Sequence, residues 1–589
     1  MNKMRWKLNN LYESFEDNNF EKDMNKMDQM IKKINNWVKE ELENVEKPVK
    51  IVEKYINLNL EYQKLVSKLF SFCSLSLSVE VNNSKAQNFM EKLRKKQVNL
   101  KKSRVKFKKW LNELDNFDDI ISKSKILKEH EFFLKEMRKD ARYLLDEKEE
   151  FIIAKMKNNG STAWSNLQGK LTSNLLVEIE LDGEKKKLPL PVVRNMYDNE
   201  DQEKRIKAYN AELNAYDKIE QSSASALNSI KGESLTVTEL KGYDSILEKT
   251  LIQSRLEKET LDTMMETIKE YLPYFEKFYQ KKAEILGHEN GLPFYDIFAP
   301  IKGFSKEYSY DDAREFIVDK FANFSDELAD FADNAFENRW IDAEPREGKR
   351  GGAFCSNIHS IGESRILANF NGSFGNVKTL SHELGHGYHG YCLKDVSILN
   401  SHYPMPVAET ASIFCETIVM DAMLEKANEK EKRALLEKRL TNNGQIIVDI
   451  YSRFLFESEL FKRRKNEFLS PEDLKEMMLK AQKKAYGNGL DHDYLHPYMW
   501  INKPHYYRSG LHYYNFPYAF GLLFTKGLYA EYLKRKDDFV NDYKKLLRAT
   551  GKNNVEDVAN LIGLDVQKKE FWRNSLDLIK NDIEKFIKL

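Results

Sequence analysis

Cysteine is scarce in this sequence. Its 589 residues include four, Cys73, Cys355, Cys392 and Cys415. They are scattered, and the absence of any C-x-x-C pair or regular spacing excludes a disulfide framework. Lone cysteines in a chain of this length are typical of reduced thiols in the cytosol. The sequence therefore predicts a cytoplasmic protein.

Long apolar runs and an excess of one charge are absent as well. No uninterrupted stretch approaches the roughly 18 apolar residues of a membrane span, and residues 1–20 contain no run that would serve as a signal peptide. Lys and Arg number 94 against 93 Asp and Glu, which gives a formal net charge of +1. We therefore expect neither a membrane nor a nucleic acid as partner, because no overall field attracts them. The oligomeric state is left open.

Glycine and proline are almost missing between residues 18 and 141. Lys- and Glu-rich segments there place apolar residues at three- and four-residue spacing, which predicts a series of helices. The run 92–110 is strongly basic. Because acidic segments flank it, we interpret it as a solvated helix face rather than a nucleic-acid site.

Residues 174–193 show a different pattern. Leu175, Val177, Ile179 and Leu181 alternate with Leu176, Glu178 and Glu180, and Asp182-Gly183 then offers a tight turn. This alternation around an Asp-Gly pair predicts a β-hairpin.

The strongest chemical signal is the sequence Ser-His-Glu-Leu-Gly-His at residues 381–386. On a helix, His382 and His386 share one face, roughly 6 Å apart along the axis, so both imidazoles can bind one metal ion. Glu383 between them is placed to act as a general base on a water molecule. This H-E-x-x-H pattern is typical of zinc peptidases. A catalytic zinc has three protein ligands and one open position, so a third ligand must come from elsewhere.

Glu409, in the segment Val-Ala-Glu-Thr before another helix, is the candidate third ligand. Glu416 follows seven residues later on the same face. It either orients a ligating imidazole or is a plain surface carboxylate. His389 is excluded as a ligand because the metzincin pattern requires glycine at that position. The set of two histidines and one glutamate predicts a single zinc ion, although it does not exclude cobalt or manganese.

The residues around the motif carry two further expectations. Residues 364–370 predict a short strand before a helix that begins near Asn376, and a free edge of this strand could pair with an extended peptide. An ordinary core strand is the alternative.

Gly385, Gly387 and Gly390 each weaken the motif helix by about 1 kcal/mol relative to Ala. Such a cost predicts close packing against another backbone.

Tyrosine and histidine crowd together in residues 496–529. Tyr514 and Tyr518 are four residues apart and could share a helix face, with His505 in the loop before them. Neutral phenol and imidazole groups can donate hydrogen bonds to the oxyanion that forms when an amide is attacked. The alternative is an aromatic core, in which each buried hydroxyl needs a partner.

Together these residues resemble the thimet oligopeptidase and oligoendopeptidase F family of zinc metallopeptidases, and they are most similar to the bacterial oligoendopeptidase F branch. The resemblance covers most of the chain. It is carried by Trp6, Leu8, Leu11 and Tyr12, by residues 227–251, 294–301 and 504–521, and by H-E-L-G-H with the downstream V-A-E-T.

The resemblance implies a mainly α fold, a prolate helical ellipsoid with a deep substrate channel and a small β-sheet beside the zinc-binding helix. It also implies roles for individual residues: His382, His386 and Glu409 as zinc ligands, Glu383 as the base, and His505 with Tyr514 and Tyr518 as substrate contacts, with Tyr507 and Tyr513 as alternatives for the tyrosines.

We therefore expect an N-terminal helical domain at 1–120, a helical connection with the hairpin at 121–200, and a zinc metallopeptidase catalytic domain at 201–589. The predicted function is hydrolysis of internal peptide bonds in short unstructured oligopeptides. A zinc-activated water would attack the bond, with Glu383 as general base. The alternatives are a carboxypeptidase on the same fold and a non-hydrolytic peptide-binding protein.

Overall fold

Helices dominate the computed structural model, which describes residues 3–42 and 47–589. Numbered in chain order, the α-helices are α1 (Asn18–Glu41), α2 (Pro48–Val79), α3 (Ser84–Val98), α4 (Lys101–Glu113), α5 (Phe117–Ser122), α6 (Lys125–Glu129), α7 (Glu131–Ala141), α8 (Glu147–Asn159), α9 (Ser161–Ser173), α10 (Leu190–Arg194), α11 (Gln202–Tyr216), α12 (Glu220–Leu240), α13 (Ile246–Gln253), α14 (Lys258–Leu286), α15 (Tyr310–Ala322), α16 (Asp326–Glu337), α17 (Phe374–Cys392), α18 (Met405–Ala408), α19 (Thr410–Lys426), α20 (Glu429–Gly444), α21 (Ile450–Arg464), α22 (Pro471–Tyr486), α23 (Phe516–Arg535), α24 (Asp537–Ala549), α25 (Val555–Asn560) and α26 (Lys569–Lys588). The strands are β1 (Leu176–Leu181), β2 (Glu184–Pro189), β3 (Ile341–Asp342), β4 (Phe354–Ile358) and β5 (Glu363–Leu367). The predicted mainly α fold class is confirmed.

The chain divides into two compact units, and each unit is assembled from separate segments. The first unit comprises Met1–Leu144, Ser305–Met423 and Glu531–Leu564. The second unit comprises Leu145–Phe304, Leu424–Ala530 and Asp565–Leu589. The domain boundaries expected at residues 120 and 200 stay a prediction.

The helical stretch expected between residues 18 and 141 is present as α1 to α7. The basic run 92–110 lies on α3 and α4, where the buried positions other than Ser103 are apolar and most of the lysines are exposed. Within the part of the chain that the structure describes, no helix is both long and apolar enough to cross a membrane.

The predicted hairpin is confirmed as β1 and β2, which pair antiparallel from Leu176↔Pro189 to Leu181↔Glu184. Asp182 and Gly183 form the turn with positive φ angles of 54° and 80°. Two-residue turns of this kind need positive φ at both positions, which explains the Asp-Gly pair. The side chains of Val177 and Ile179 are buried, as the alternation indicated.

The expectation of a free edge on the strand before the motif helix is wrong. That strand is β5, which lies in the middle of a three-stranded sheet of order β3-β5-β4. Its neighbours are β3, parallel, and β4, antiparallel. Strand β3 has two residues and comes from a segment more than twenty residues upstream, so no local sequence pattern predicts its pairing with β5. Among the strands described, the edge on the far side from β3 belongs to β4.

This sheet packs between the N-terminal helices and the motif helix α17, all within the first unit. Ile358 of β4 and Leu367 of β5 are fully buried in the same apolar cluster as Tyr12 and Phe72. Helix α17 begins near the predicted place because Ser373 caps it: the Ser373 side chain accepts a hydrogen bond from the backbone N–H of Asn376. The sheet therefore holds one side of the helix that carries H-E-x-x-H.

Candidate metal centre

Helix α17 places the two histidines of the motif on one face. The ring centroids of His382 and His386 are 5.0 Å apart, and the ring planes meet at 83°. Glu409 lies at the break between α18 and α19, and its Oε2 is 3.4 Å from Nε2 of His382 and 3.5 Å from Nε2 of His386. One carboxylate oxygen and two imidazole nitrogens thus converge on one point.

These three side chains fit a zinc ion. Among the described residues, they form the one group of three or more His, Cys, Asp or Glu side chains whose ligand atoms all lie within 4.8 Å of one another. Two tetrahedral ligands that are each about 2.0–2.1 Å from zinc are about 3.3 Å apart. The observed N–O separations are close to this value, and His₂Glu is an established catalytic donor set.

Two of the three side chains are held by the protein on the side away from the convergence point. Nδ1 of His382 lies 3.2 Å from Oε2 of Glu416. The hydroxyl of Ser412 donates to Oε2 of Glu409 at 2.8 Å. Such contacts fix the orientation of metal-binding side chains and raise their basicity.

The charges of the site are those of a cation-binding centre. Burial raises the pKa of Glu409 and Glu416, but hydrogen bonds and nearby positive charge outweigh it and hold each pKa at about 2. Burial lowers the pKa of His382, but Glu409 and Glu416 outweigh it and raise this pKa to about 10. Burial lowers the pKa of His386 to about 4. Two ionised carboxylates therefore face the imidazoles.

Glu383 lies beside this group and is 6% exposed. Burial, opposed by His382 and supported by the charge of Glu409, raises its pKa to about 7. The backbone N–H of Cys355 in β4 acts in the opposite direction and lowers this pKa slightly. A buried carboxylate with a pKa near neutrality suits a general base.

The glycines of α17 are explained by the neighbours they contact. A Cβ atom at Gly385 would lie 2.6 Å from Cα of Ser412, so α17 and α19 approach backbone to backbone at the metal ligands. This confirms the expected close packing for Gly385. Gly387 and Gly390 instead accommodate the side chains of Phe331 and Asn357.

Sequence reasoning missed Asn357 and Lys378. The Asn357 amide donates to the His386 carbonyl at 3.0 Å and accepts from the Ser364 hydroxyl at 2.7 Å. No sequence spacing connects Asn357 to the motif, because the contact crosses from sheet to helix. Nζ of Lys378 lies 3.0 Å from Oε1 of Glu416. Lys378 precedes His382 by four residues, so the helical period could have identified it.

His389, excluded as a ligand from sequence, is fully buried away from the three donors. Its ring stacks on Tyr403 with centroids 4.1 Å apart. Its Nε2 lies 2.8 Å from the hydroxyl of Thr550. These contacts give it a packing role.

The other predicted residues, His505, Tyr514 and Tyr518, lie together in the second unit. The hydroxyls of Tyr514 and Tyr518 are 2.5 Å apart, and the rings of His505 and Tyr514 are 5.5 Å apart. The two tyrosines do not share a helix, because α23 begins at Phe516. The alternatives Tyr507 and Tyr513 are 1% and 7% exposed. This burial favours Tyr514 and Tyr518 for contact with a substrate, and their role stays a prediction.

A hydrogen-bond relay that the sequence did not reveal fixes the tautomer of His505. Arg453, paired with Asp449, donates to Oδ1 of Asn515 at 3.3 Å. The Asn515 Nδ2 is therefore turned toward Nε2 of His505, which it contacts at 3.0 Å. Nε2 accepts this bond, so the proton of the neutral ring is on Nδ1. Burial and the charge of Arg453 lower the pKa of His505 to about 3, which keeps the ring neutral.

A buried ion pair holds the loop before Tyr514. Lys231 is fully buried, and its Nζ lies 2.7 Å from Oε1 of Glu457. Oε2 of Glu457 accepts the backbone N–H of Tyr513 at 3.0 Å. Tyr513 has a φ angle of +49°, a conformation that L-residues rarely adopt without such support.

Comparison with models of protein families identifies the family of this chain. The sequence model of peptidase family M3 matches residues 195–578, about two thirds of the chain and a range that contains both groups of residues described above. The chain belongs to peptidase family M3. A second model, described as oligopeptidase F, matches residues 106–175. The resemblance to the oligoendopeptidase F branch is thereby confirmed, and this M3 peptidase is a metallo-oligopeptidase that hydrolyses oligopeptides.

Two curated relatives match most of this chain. An oligoendopeptidase F homolog of Borreliella burgdorferi is 27% identical over 563 residues, which cover 93% of this chain and 89% of that protein. The oligopeptidase PepF of Bacillus subtilis is 25% identical over 471 residues, which cover 78% of this chain and 68% of that protein.

Solved structures share the fold of the M3 peptidase. A chain from Chlamydophila abortus has a TM-score of 0.84 at 18% identity and covers 100% of this chain and 98% of its own. An oligoendopeptidase-F from Enterococcus faecium has a TM-score of 0.71 at 17% identity and covers 96% and 99%.

Proposed function

We propose that this M3 peptidase is a zinc-dependent endopeptidase that cuts internal bonds of short unstructured peptides. The observation that carries the proposal is the convergence of Nε2 of His382 and Nε2 of His386 on one oxygen of Glu409. Glu416 holds the opposite side of the His382 imidazole and Ser412 holds Glu409, so these donor atoms face the proposed metal position before an ion binds. Bound zinc supplies Lewis-acid polarisation of the carbonyl and lowers the pKa of water toward about 7.

Glu383 is the general base in this proposal. Its carboxylate accepts a proton from the attacking water and later delivers it to the nitrogen of the leaving amine. General acid–base catalysis of this kind contributes on the order of 10²–10⁴-fold.

His505, Tyr514 and Tyr518 are proposed as the residues that contact the substrate. With its proton on Nδ1, the neutral His505 ring is a donor, and the hydroxyls of Tyr514 and Tyr518, which lie 2.5 Å apart, are phenolic donors beside it. Donors of this kind stabilise the oxyanion formed on the scissile carbonyl. We assign the catalytic domain to residues 201–589, which contain all of these side chains.

The cellular setting is part of the proposal. Cys73, Cys355, Cys392 and Cys415 are free thiols. They fit the reducing cytoplasm expected from their spacing.

A digest of defined peptides tests this function. Zinc-loaded protein is incubated with peptides that carry an acetylated N-terminus and an amidated C-terminus, and with a folded protein, and the products are mapped by mass spectrometry. We expect internal cuts in the capped peptides and none in the folded protein. A carboxypeptidase would leave the amidated peptides intact and trim only those with a free C-terminus. No cleavage by protein that contains zinc would favour the non-hydrolytic binding protein.

A further inference from the structure

A cavity of about 580 Å³ lies within the second unit. None of the roles proposed above uses this cavity. Helices α9 and α10 form two of its walls, and residues 501–508 form another. We call it the Arg194 cavity. Its volume is in the range of small-molecule sites, about 300–1,000 Å³. The segment 501–508 includes His505, so the cavity and the proposed substrate contact share one piece of chain.

The polar lining of the Arg194 cavity is cationic. Arg194 and Arg508 both line it, and among the lining residues described there is no aspartate or glutamate. Arg508 is exposed, whereas Arg194 is only partly so. An anionic group is therefore the favoured occupant at this end of the cavity.

Arg194 is held in place from behind. Its Nη1 lies 3.4 Å from Oε1 of Glu212, a carboxylate that is fully buried. The hydroxyls of Tyr197 and Tyr216 donate to this same carboxylate at 2.6 and 2.8 Å. Arginine has five N–H donors in a fixed fork, and one contact with Glu212 does not use them all. The guanidinium is thus pre-oriented and retains donors for a ligand.

A buried amide fixes two of the cavity walls relative to each other. Gln168 is 4% exposed, and its Nε2 donates to the Ile501 carbonyl at 3.1 Å. This hydrogen bond ties α9 to the segment 501–508, so the cavity has a defined shape before a ligand enters.

The same walls also carry apolar side chains, namely Leu190, Ile501 and Pro504. Cationic donors and aliphatic surface in one cavity match two parts of a C-terminal amino acid. Its carboxylate suits guanidinium, and its aliphatic side chain suits the apolar surface.

We propose that the Arg194 cavity binds the free α-carboxylate end of short peptides that terminate in an aliphatic residue. This end belongs either to the substrate itself or to a released product, and the chemistry of recognition is the same. The choice of a peptide as ligand rests on the proposed peptidase function. Binding itself needs neither turnover nor the metal.

Calorimetric titration of the zinc-loaded full chain with the dipeptide Ala-Leu and with its C-terminal amide tests the proposal. Mass spectrometry of the recovered dipeptide checks that it stays intact. We expect the free carboxylate to bind at least tenfold more tightly than the amide, and Arg508→Gln to remove most of this difference. Arg573→Gln, an exposed arginine on α26 of the same unit, is the matched control and leaves the affinity unchanged.

Three results would overturn the proposal: equal affinity for acid and amide, binding that Arg508→Gln leaves unchanged, and inorganic phosphate that competes as well as Ala-Leu. Arg194→Lys provides a second variant that keeps the charge beside Glu212 and removes the guanidinium fork. We expect it to fold like the wild type and to bind Ala-Leu at least fivefold more weakly.

Steady-state kinetics then distinguish whether the bound C-terminus belongs to the substrate or to a released product. Two oligopeptides that differ only in a free or amidated C-terminal leucine are compared. A KM that rises on amidation in the wild type, and not in Arg508→Gln, identifies the substrate's own end. Equal KM values with inhibition by Ala-Leu that needs Arg508 identify a released product. Inactive protein that still binds Ala-Leu through Arg508 would refute the proposed catalysis and leave this site intact.

Discussion

Nδ1 of His382 lies 3.2 Å from Oε2 of Glu416, while Nζ of Lys378 lies 3.0 Å from the other oxygen of the same carboxylate. Glu416 therefore connects His382, a proposed metal ligand, to the charge of Lys378 one helical turn earlier on α17. We expect Glu416→Gln to weaken zinc affinity by about 10- to 100-fold, because the imidazole loses the anion that orients it. Competition with a fluorescent chelator measures this affinity.

The matched control for Glu416 is Glu425→Gln, an exposed carboxylate on the same helix α19. It should leave the zinc affinity unchanged. An affinity in Glu416→Gln equal to that of the wild type would show that this carboxylate does not act on the metal ligand.

Glu383→Gln tests the base. The amide keeps the shape of the side chain but cannot accept a proton from water, so we expect kcat to fall by about 10²–10⁴-fold or more. Zinc content, measured by atomic emission, should stay at one ion per chain. Wild-type turnover in this variant would refute the mechanism, and loss of zinc would mean that the carboxylate is needed for the metal.

Gly385→Ala tests the close approach of α17 and α19. The added methyl group would overlap the backbone of residues 411 and 412. Overpacking typically costs about 1–3 kcal/mol. Because Glu409 begins the displaced segment, zinc affinity should fall together with thermal stability.

Gly375→Ala is the matched control on the same helix, since a Cβ there meets only an ordinary contact with the Ser373 hydroxyl. It should leave both quantities unchanged. Equal behaviour of the two variants would contradict the role given to Gly385.

Asn515→Ala tests the relay to His505. Without the amide, Nε2 of His505 loses its donor and the ring is free to change tautomer. We expect kcat/KM to fall about tenfold at unchanged zinc content, and Asn466→Ala, an exposed asparagine of the second unit, to have no effect. A fall in zinc content would point to a general structural defect instead.

Lys231→Met tests the buried pair that holds the loop before Tyr514. Glu457 would be left buried without its cation, and breaking such a pair costs about 3–5 kcal/mol. Urea unfolding measures the loss. Glu457→Gln added to Lys231→Met should restore much of the stability, because the neutral amide still accepts the Tyr513 N–H. A double variant no more stable than Lys231→Met would contradict this account.

Local patterns predicted the parts of the fold that depend on neighbouring residues. The helices of residues 18–141, the Asp182-Gly183 turn and the start of α17 near Asn376 all follow from spacing, turn chemistry or capping. The free edge assigned to residues 364–370 was wrong because the two residues of β3 cover it from a distant part of the chain. Pairing of this kind leaves no local signal.

The same limit applies to the site. His382, Glu383 and His386 were identifiable because a helix brings residues at fixed spacing together. Asn357 and Asn515 were not, since each acts through a contact between separate segments. The choice of Tyr514 and Tyr518 rested on a shared helix face, which is wrong because α23 begins at Phe516. Burial of Tyr507 and Tyr513 nevertheless favours the same pair.

The assembly of the first unit from three segments has a consequence for synthesis. Thr550 contacts His389 of the motif helix, and the hydroxyl of Tyr543 donates to the carbonyl of Thr410, the residue after Glu409. During translation at about 5–20 residues per second, α24 leaves the ribosome roughly ten seconds after Glu416. The proposed metal ligands are therefore exposed on a nascent chain that lacks its final support, and we expect the complete site to form only once translation is nearly finished.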